Sequence, residues 1–106
     1  MSESFKNNTE IFQVAVLFEE PEITNLFSTL IGFHGIKTRV IIPGDSLLEN
    51  ERIVTEPQFI KFIPEDKKSS SLLIGNKEAL DEAPGIKLAR PLTENKILQA
   101  IDKFLS

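Results

Sequence analysis

"FQVAVLF", residues 12 to 18, is the stretch whose reading decides the fold. It is an almost unbroken run of β-branched, aliphatic and aromatic residues, so the strand it predicts is buried on both faces. Such a strand belongs in a parallel sheet with helices above and below it. Directly after it, "EEPE" places Pro21 in the first turn of a helix, with acidic neighbours near the positive end of the helix dipole. Ile23, Leu26, Phe27, Leu30 and Ile31 then recur at helical spacing as one apolar stripe, which stops between Gly32 and Gly35.

Further along, "IKTRVII" (36 to 42) reads as a second strand, ended by the turn pair Pro43-Gly44. "DSLLEN" can form a short helix at most. Arg52 to Thr55 form a third strand, "PQFIKFI" a short helix or a further strand, and "PEDKKSS" a solvated loop in which Lys67-Lys68 reads as flexible and basic. "SLLIG" (71 to 75) and "IKLA" (86 to 89) supply a fourth and a fifth strand, separated by about two helical turns in "NKEALDEA" that close at Pro84-Gly85. Ile97, Ala100, Ile101, Phe104 and Leu105 give a last amphipathic helix, with Thr93 as its N-cap. Strand and helix therefore alternate five times, which predicts an α/β domain with a mostly parallel sheet. Residues 43 to 50 are few for a parallel crossover, which usually needs about a dozen, so one middle strand is expected at an edge or antiparallel.

With 106 residues, 41% of them hydrophobic and 26% charged, the chain suits one compact domain over residues 11–106 behind a polar, disordered tail at 1–10. A formal charge of −4 without clustered Lys and Arg argues against nucleic acid as a partner. The absence of cysteine excludes disulfides and thiolate metal sites. No apolar stretch approaches the roughly 20 residues of a membrane span, and the start has no hydrophobic signal core, so a cytoplasmic location without membrane contact is expected. His34 has no companion ligand and reads as a loop residue, and Gly44 and Gly85 read as turn glycines.

Taken in order, "VAVLFEEPEI", "GIKTRVIIPG", "ERIVTE", "KLARPL" and "TENKILQAIDKFL" resemble the pieces of a receiver domain of two-component response regulators. The resemblance spans residues 11 to 105 and is strongest at its two ends. It implies a doubly wound, flavodoxin-like five-stranded sheet of order 2-1-3-4-5, as in the chemotaxis regulators, here with shortened helices 2 to 4. It also implies that the Arg90-Pro91 bond is cis.

Receiver chemistry uses a nucleophilic aspartate on strand 3, two acids after strand 1 that hold Mg²⁺, a hydroxyl on strand 4 and a lysine on strand 5. By the resemblance, the two acids fall on Phe18 and Glu19, the nucleophile on Glu56, the hydroxyl on Gly75 and the lysine on Arg90. The aromatic switch residue falls on Lys87. A register that takes "PQFIKFI" as strand 3 places Ile63 at the phosphoacceptor instead, so either choice lacks an aspartate. Glu56 is one methylene too long, and an error on the order of 1 Å is costly in such chemistry. A Glu56–Arg90 pair that holds an active-like state is a further reading of the same residues, and Glu19, Glu20 and Glu56 as a cation site is another.

The expectation is thus a degenerate receiver, or pseudo-receiver, with no catalytic residue, no metal and no cofactor. It would act as a phosphorylation-independent interaction or relay module in bacterial two-component signalling. Its expected partner is a histidine kinase or regulator domain, with a homodimer as a further possibility. The expected contact surfaces are helix 1 with the last helix, or the edge of strands 4 and 5, with Lys87, Ile97 and Ile101 as contact residues. The alternatives are an active receiver phosphorylated on Glu56 and a flavodoxin-like small-ligand binder whose pocket is lined by Phe18 and Gly75.

Overall fold

The computed structural model describes residues 12–106; the tail expected at 1–10 lies outside them. Five strands form one sheet: β1 (Gln13–Leu17), β2 (Thr38–Val40), β3 (Glu51–Thr55), β4 (Leu72–Gly75) and β5 (Ile86–Ala89). Their order is β2-β1-β3-β4-β5, the doubly wound order expected, and all four pairings are parallel. β1 lies between β2 and β3 and pairs along its whole length with β3, Gln13 opposite Glu51 through Leu17 opposite Thr55. β2 stands at one edge of the sheet, the first of the two outcomes expected from the short connection, and among the described residues no strand is antiparallel.

Alternation along each strand sends side chains to two cores. Val14, Val16, Val54, Leu72, Ile74 and Leu88 point to the first face. There they meet α1 (Pro21–Gly32) through Phe27 and Ile31, and α3 (Glu94–Leu105) through Ile97, Ala100, Ile101 and Phe104. Both helices begin as their sequences require, α1 with proline in its first turn and α3 with the Thr93 hydroxyl accepting from the Lys96 amide at 3.3 Å. Ala15, Leu17, Ile53 and Leu73 point to the second face, which has a much thinner cover. It consists of a 3₁₀ helix (Pro57–Phe62), a single helical turn α2 (Lys77–Leu80) and the extended stretch between β2 and β3. "PQFIKFI" is therefore helical rather than a strand, and "NKEALDEA" gives one turn of α-helix rather than two.

Residues 41–50 have no helix. The chain reaches β3 as a loop over β1, burying Ile41 and tucking Leu47 against the second core. A crossover helix would pair most of its own backbone polar groups, so a loop here needs other partners for them. A buried carboxylate supplies part of that need. Glu51, whose side chain is fully buried, accepts a forked pair of hydrogen bonds from Arg39 of β2, at 2.9 and 2.6 Å, and one from the Leu48 amide at 2.9 Å. Arg39 also donates to the Ser46 carbonyl, and the Lys67 ammonium donates to the Glu49 and Glu51 carbonyls at 2.9 and 2.8 Å. Lys67-Lys68 is thus an ordered anchor, beside a short 3₁₀ turn at Glu65–Lys67, and not the flexible loop its composition predicts.

Candidate functional site

The carboxyl ends of β1, β3, β4 and β5 bring together the residues that the receiver resemblance singles out. Glu56 follows β3 in extended conformation, and Pro57 then starts the 3₁₀ helix. One carboxylate oxygen of Glu56 accepts from the Glu19 backbone amide at 3.0 Å and from the Gln58 side-chain amide at 3.4 Å. The group stitches the end of β3 to the loop after β1, a structural tie between two strand ends.

Its expected neighbours are arranged differently from a phosphorylation site. Phe18 turns to the first face and stacks on Phe27, ring centroids 5.4 Å apart at 23°, so it extends the core under α1. Glu19 is exposed and contributes its amide. Gly75 leaves no room for a side chain: a Cβ there would lie 2.9 and 3.0 Å from the Pro57 ring. The place of the hydroxyl is taken by proline. Arg90 donates its backbone amide to the Gly75 carbonyl at 2.9 Å, and its guanidinium lies 4.0 Å from Glu20. Its ion contact is with Glu20, and the Glu56–Arg90 pair considered from sequence is not formed. The Arg90-Pro91 bond is cis, as expected.

Lys87 stands on the second face, where its ammonium donates to the Asp81 carbonyl at 3.2 Å. Ile97 and Ile101, expected as contact residues, are 8% and 0% exposed and belong to the core against the sheet. The helical spacing that made them a stripe is the stripe that α3 turns inward. His34 lies in the turn after α1, as expected. Among the described residues no group of three or more His, Asp, Glu or Cys is close enough to hold a metal ion.

A cleft of about 430 Å³ opens at these strand ends, with Glu56, Gln58, Gly75, Asn76 and Arg90 in its wall. Phe18 does not take part in this cleft, so the two residues expected to line a small-ligand pocket do not meet in it. Three participants escaped sequence reasoning. Lys96 of α3 donates to the Ala89 and Pro91 carbonyls at 2.6 and 2.8 Å and holds the chain on both sides of Arg90. Glu51 and Arg39 form the buried pair under the crossover loop. The signal for that pair was present, a lone glutamate opening an apolar strand and a lone arginine inside another. Arg39's hydrogen bonds, with the Leu48 amide and the charges of Arg39 and Lys67, hold the Glu51 carboxyl below its usual range against the opposing effect of burial. Arg39 is raised in turn, chiefly by its hydrogen bond to Glu51.

No protein-family model matches the chain, and a comparison with curated proteins finds no match. Among the described residues no helix is long and apolar enough to cross a membrane.

Proposed function

We propose that this chain is a pseudo-receiver, a phosphorylation-independent interaction or relay module of bacterial two-component signalling in the cytoplasm. One observation carries the reading: Pro57 packs on Gly75 where a receiver needs a hydroxyl, beside a Glu56 that is already engaged by the Glu19 amide. The sheet order supports it, because it is the order the resemblance implies and it brings Glu56, Gly75 and Arg90 to the same strand ends. The full-length helices α1 and α3, side by side on the first face, offer their outer surfaces to a histidine kinase or regulator domain, since their apolar stripes are spent on the core.

The test is an amide NMR titration with Mg²⁺ and beryllofluoride, which mimics a bound phosphoryl group. The expected result is no saturable shift at Glu19, Glu56 or Arg90. Saturable shifts at those three positions would replace this reading with that of an active receiver.

A further inference from the structure

On the second face, the 3₁₀ helix Pro57–Phe62 and the four-residue α2 are short and leave part of the surface between them open. A groove of about 540 Å³ runs between them. Its floor is apolar, formed by Pro57, Ile60, Ala83 and Pro84. One bank carries three carboxylates, Glu78, Asp81 and Glu82, and no lysine or arginine lines it. None of the ion pairs among the described residues involves these three. An occupant of this groove has an apolar anchor and a positive charge.

The chain itself carries such a segment. Phe33, which caps α1, is 80% exposed, the highest among the large exposed hydrophobic side chains described. It does not hang from a loose loop. Its amide donates to Thr29, that of His34 to Ile31 and that of Gly35 to Gly32, with Gly35 in the left-handed region at φ 79°. A hydrogen-bonded turn therefore holds the ring out in water, and exposed Lys37 follows on the same segment. The turn lies between α1 and β2, at the opposite edge of the sheet from the groove beside β4 and β5.

We infer that the Phe33 turn of one copy docks in the groove between the 3₁₀ helix and α2 of a second copy, Lys37 against the acidic bank. The inference stands apart from the pseudo-receiver reading. The two surfaces differ, so the contact is heterologous: each copy keeps a free turn or a free groove, and the assembly grows as an open chain or closes as a ring. One aromatic anchor on a short turn buries far less than the roughly 1,200 Å² of a stable interface, so association is weak and salt-sensitive.

Sedimentation velocity across concentrations up to about 1 mM tests this, since contacts of this size are weak. The mass of the wild type is expected to rise past that of a dimer and to fall on adding salt. Phe33→Ala keeps the groove and loses the anchor; a triple variant, Glu78→Lys with Asp81→Lys and Glu82→Lys, keeps the anchor and loses the bank. Each alone is expected to be monomeric, and their equimolar mixture to form a dimer that grows no further. A wild type that stays monomeric, a Phe33→Ala chain that associates like wild type, or a mixture that stays monomeric overturns the inference. A second measurement guards against a misfolded variant. The chain has no cysteine, so His34→Cys carries a single spin label. Mixed with isotope-labelled wild type, it is expected to broaden the amides of Ala79 and Ala83; broadening confined elsewhere, or none, also overturns the inference.

Discussion

Glu51 is a buried carboxylate at the start of a core strand, and its worth depends on what its oxygens accept. Removing it strands the Leu48 amide and leaves Arg39 over an apolar core, although Arg39 is 38% exposed and can recover water. Glu51→Ala is therefore expected to cost about 2–4 kcal/mol, read from urea unfolding. Because the Glu51 carboxyl is lowered in the folded state, its contribution is complete above the ordinary value of 4.5 and disappears as pH falls through the folded value. The stability gap between wild type and Glu51→Gln should accordingly be constant near neutrality and close only below about pH 4.5. Gly85 gives a second residue-scale test. Its φ is 87°, and a Cβ there would lie 2.6 to 2.8 Å from Ser71 and the Lys68 carbonyl. Both left-handed strain and overpacking oppose Gly85→Ala, for a loss of about 2–4 kcal/mol in the same assay.

Among the elements, the loop between β2 and β3 shows what replaces a missing helix. Its anchors come from three separate elements: Glu51 from β3, Arg39 from β2 and Lys67 from the turn before β4. Lys67→Met should leave the fold intact and speed hydrogen exchange at the amides of residues 47–51, while α1 and α3 keep their protection. These anchors also explain what the sequence concealed. β1 and β4 were legible because strands buried on both faces have to be written almost wholly in apolar residues, whereas β3, with Glu51, Arg52 and Thr55 among its five residues, left its register open. α1 and α3 were legible from their stripes. The crossover was not, because a loop held by contacts among residues 39, 51 and 67 has no local period. "PQFIKFI" stayed ambiguous for a related reason: a short apolar run fits helix and strand alike, and only its packing against Leu73 and Leu80 decides.

For the whole molecule, the two faces of one sheet are unlike. Two complete helices cover the first, whereas short turns and a loop cover the second, and the two grooves described above lie on that side or along its rim. The positions of the candidate site were legible at this scale, since parallel order brings Phe18, Glu56, Gly75 and Arg90 to one end of the sheet. Their bonds were not. Whether Glu56 meets Arg90 or an amide of Glu19 turns on differences of a few ångströms between strand ends, which no spacing along the chain records. Likewise, Ile97 and Ile101 could be placed on one stripe of α3, but which way that stripe faced required the sheet.

The contact between Pro57 and Gly75 also sets an order of events. A chain changing one residue at a time could not simply gain a serine at 75, because Gly75→Ser alone drives a Cβ to 2.9 Å from the proline ring. Pro57 would have to go first, leaving a gap that the serine could then occupy. Unfolding measurements on Pro57→Ala, Gly75→Ser and the pair should therefore be non-additive, the double variant being more stable than the two single losses predict by about 0.5–3 kcal/mol. The packing of Pro57 on Gly75 thus fixes a sequence of substitutions: position 57 must give way before position 75 can carry a side chain.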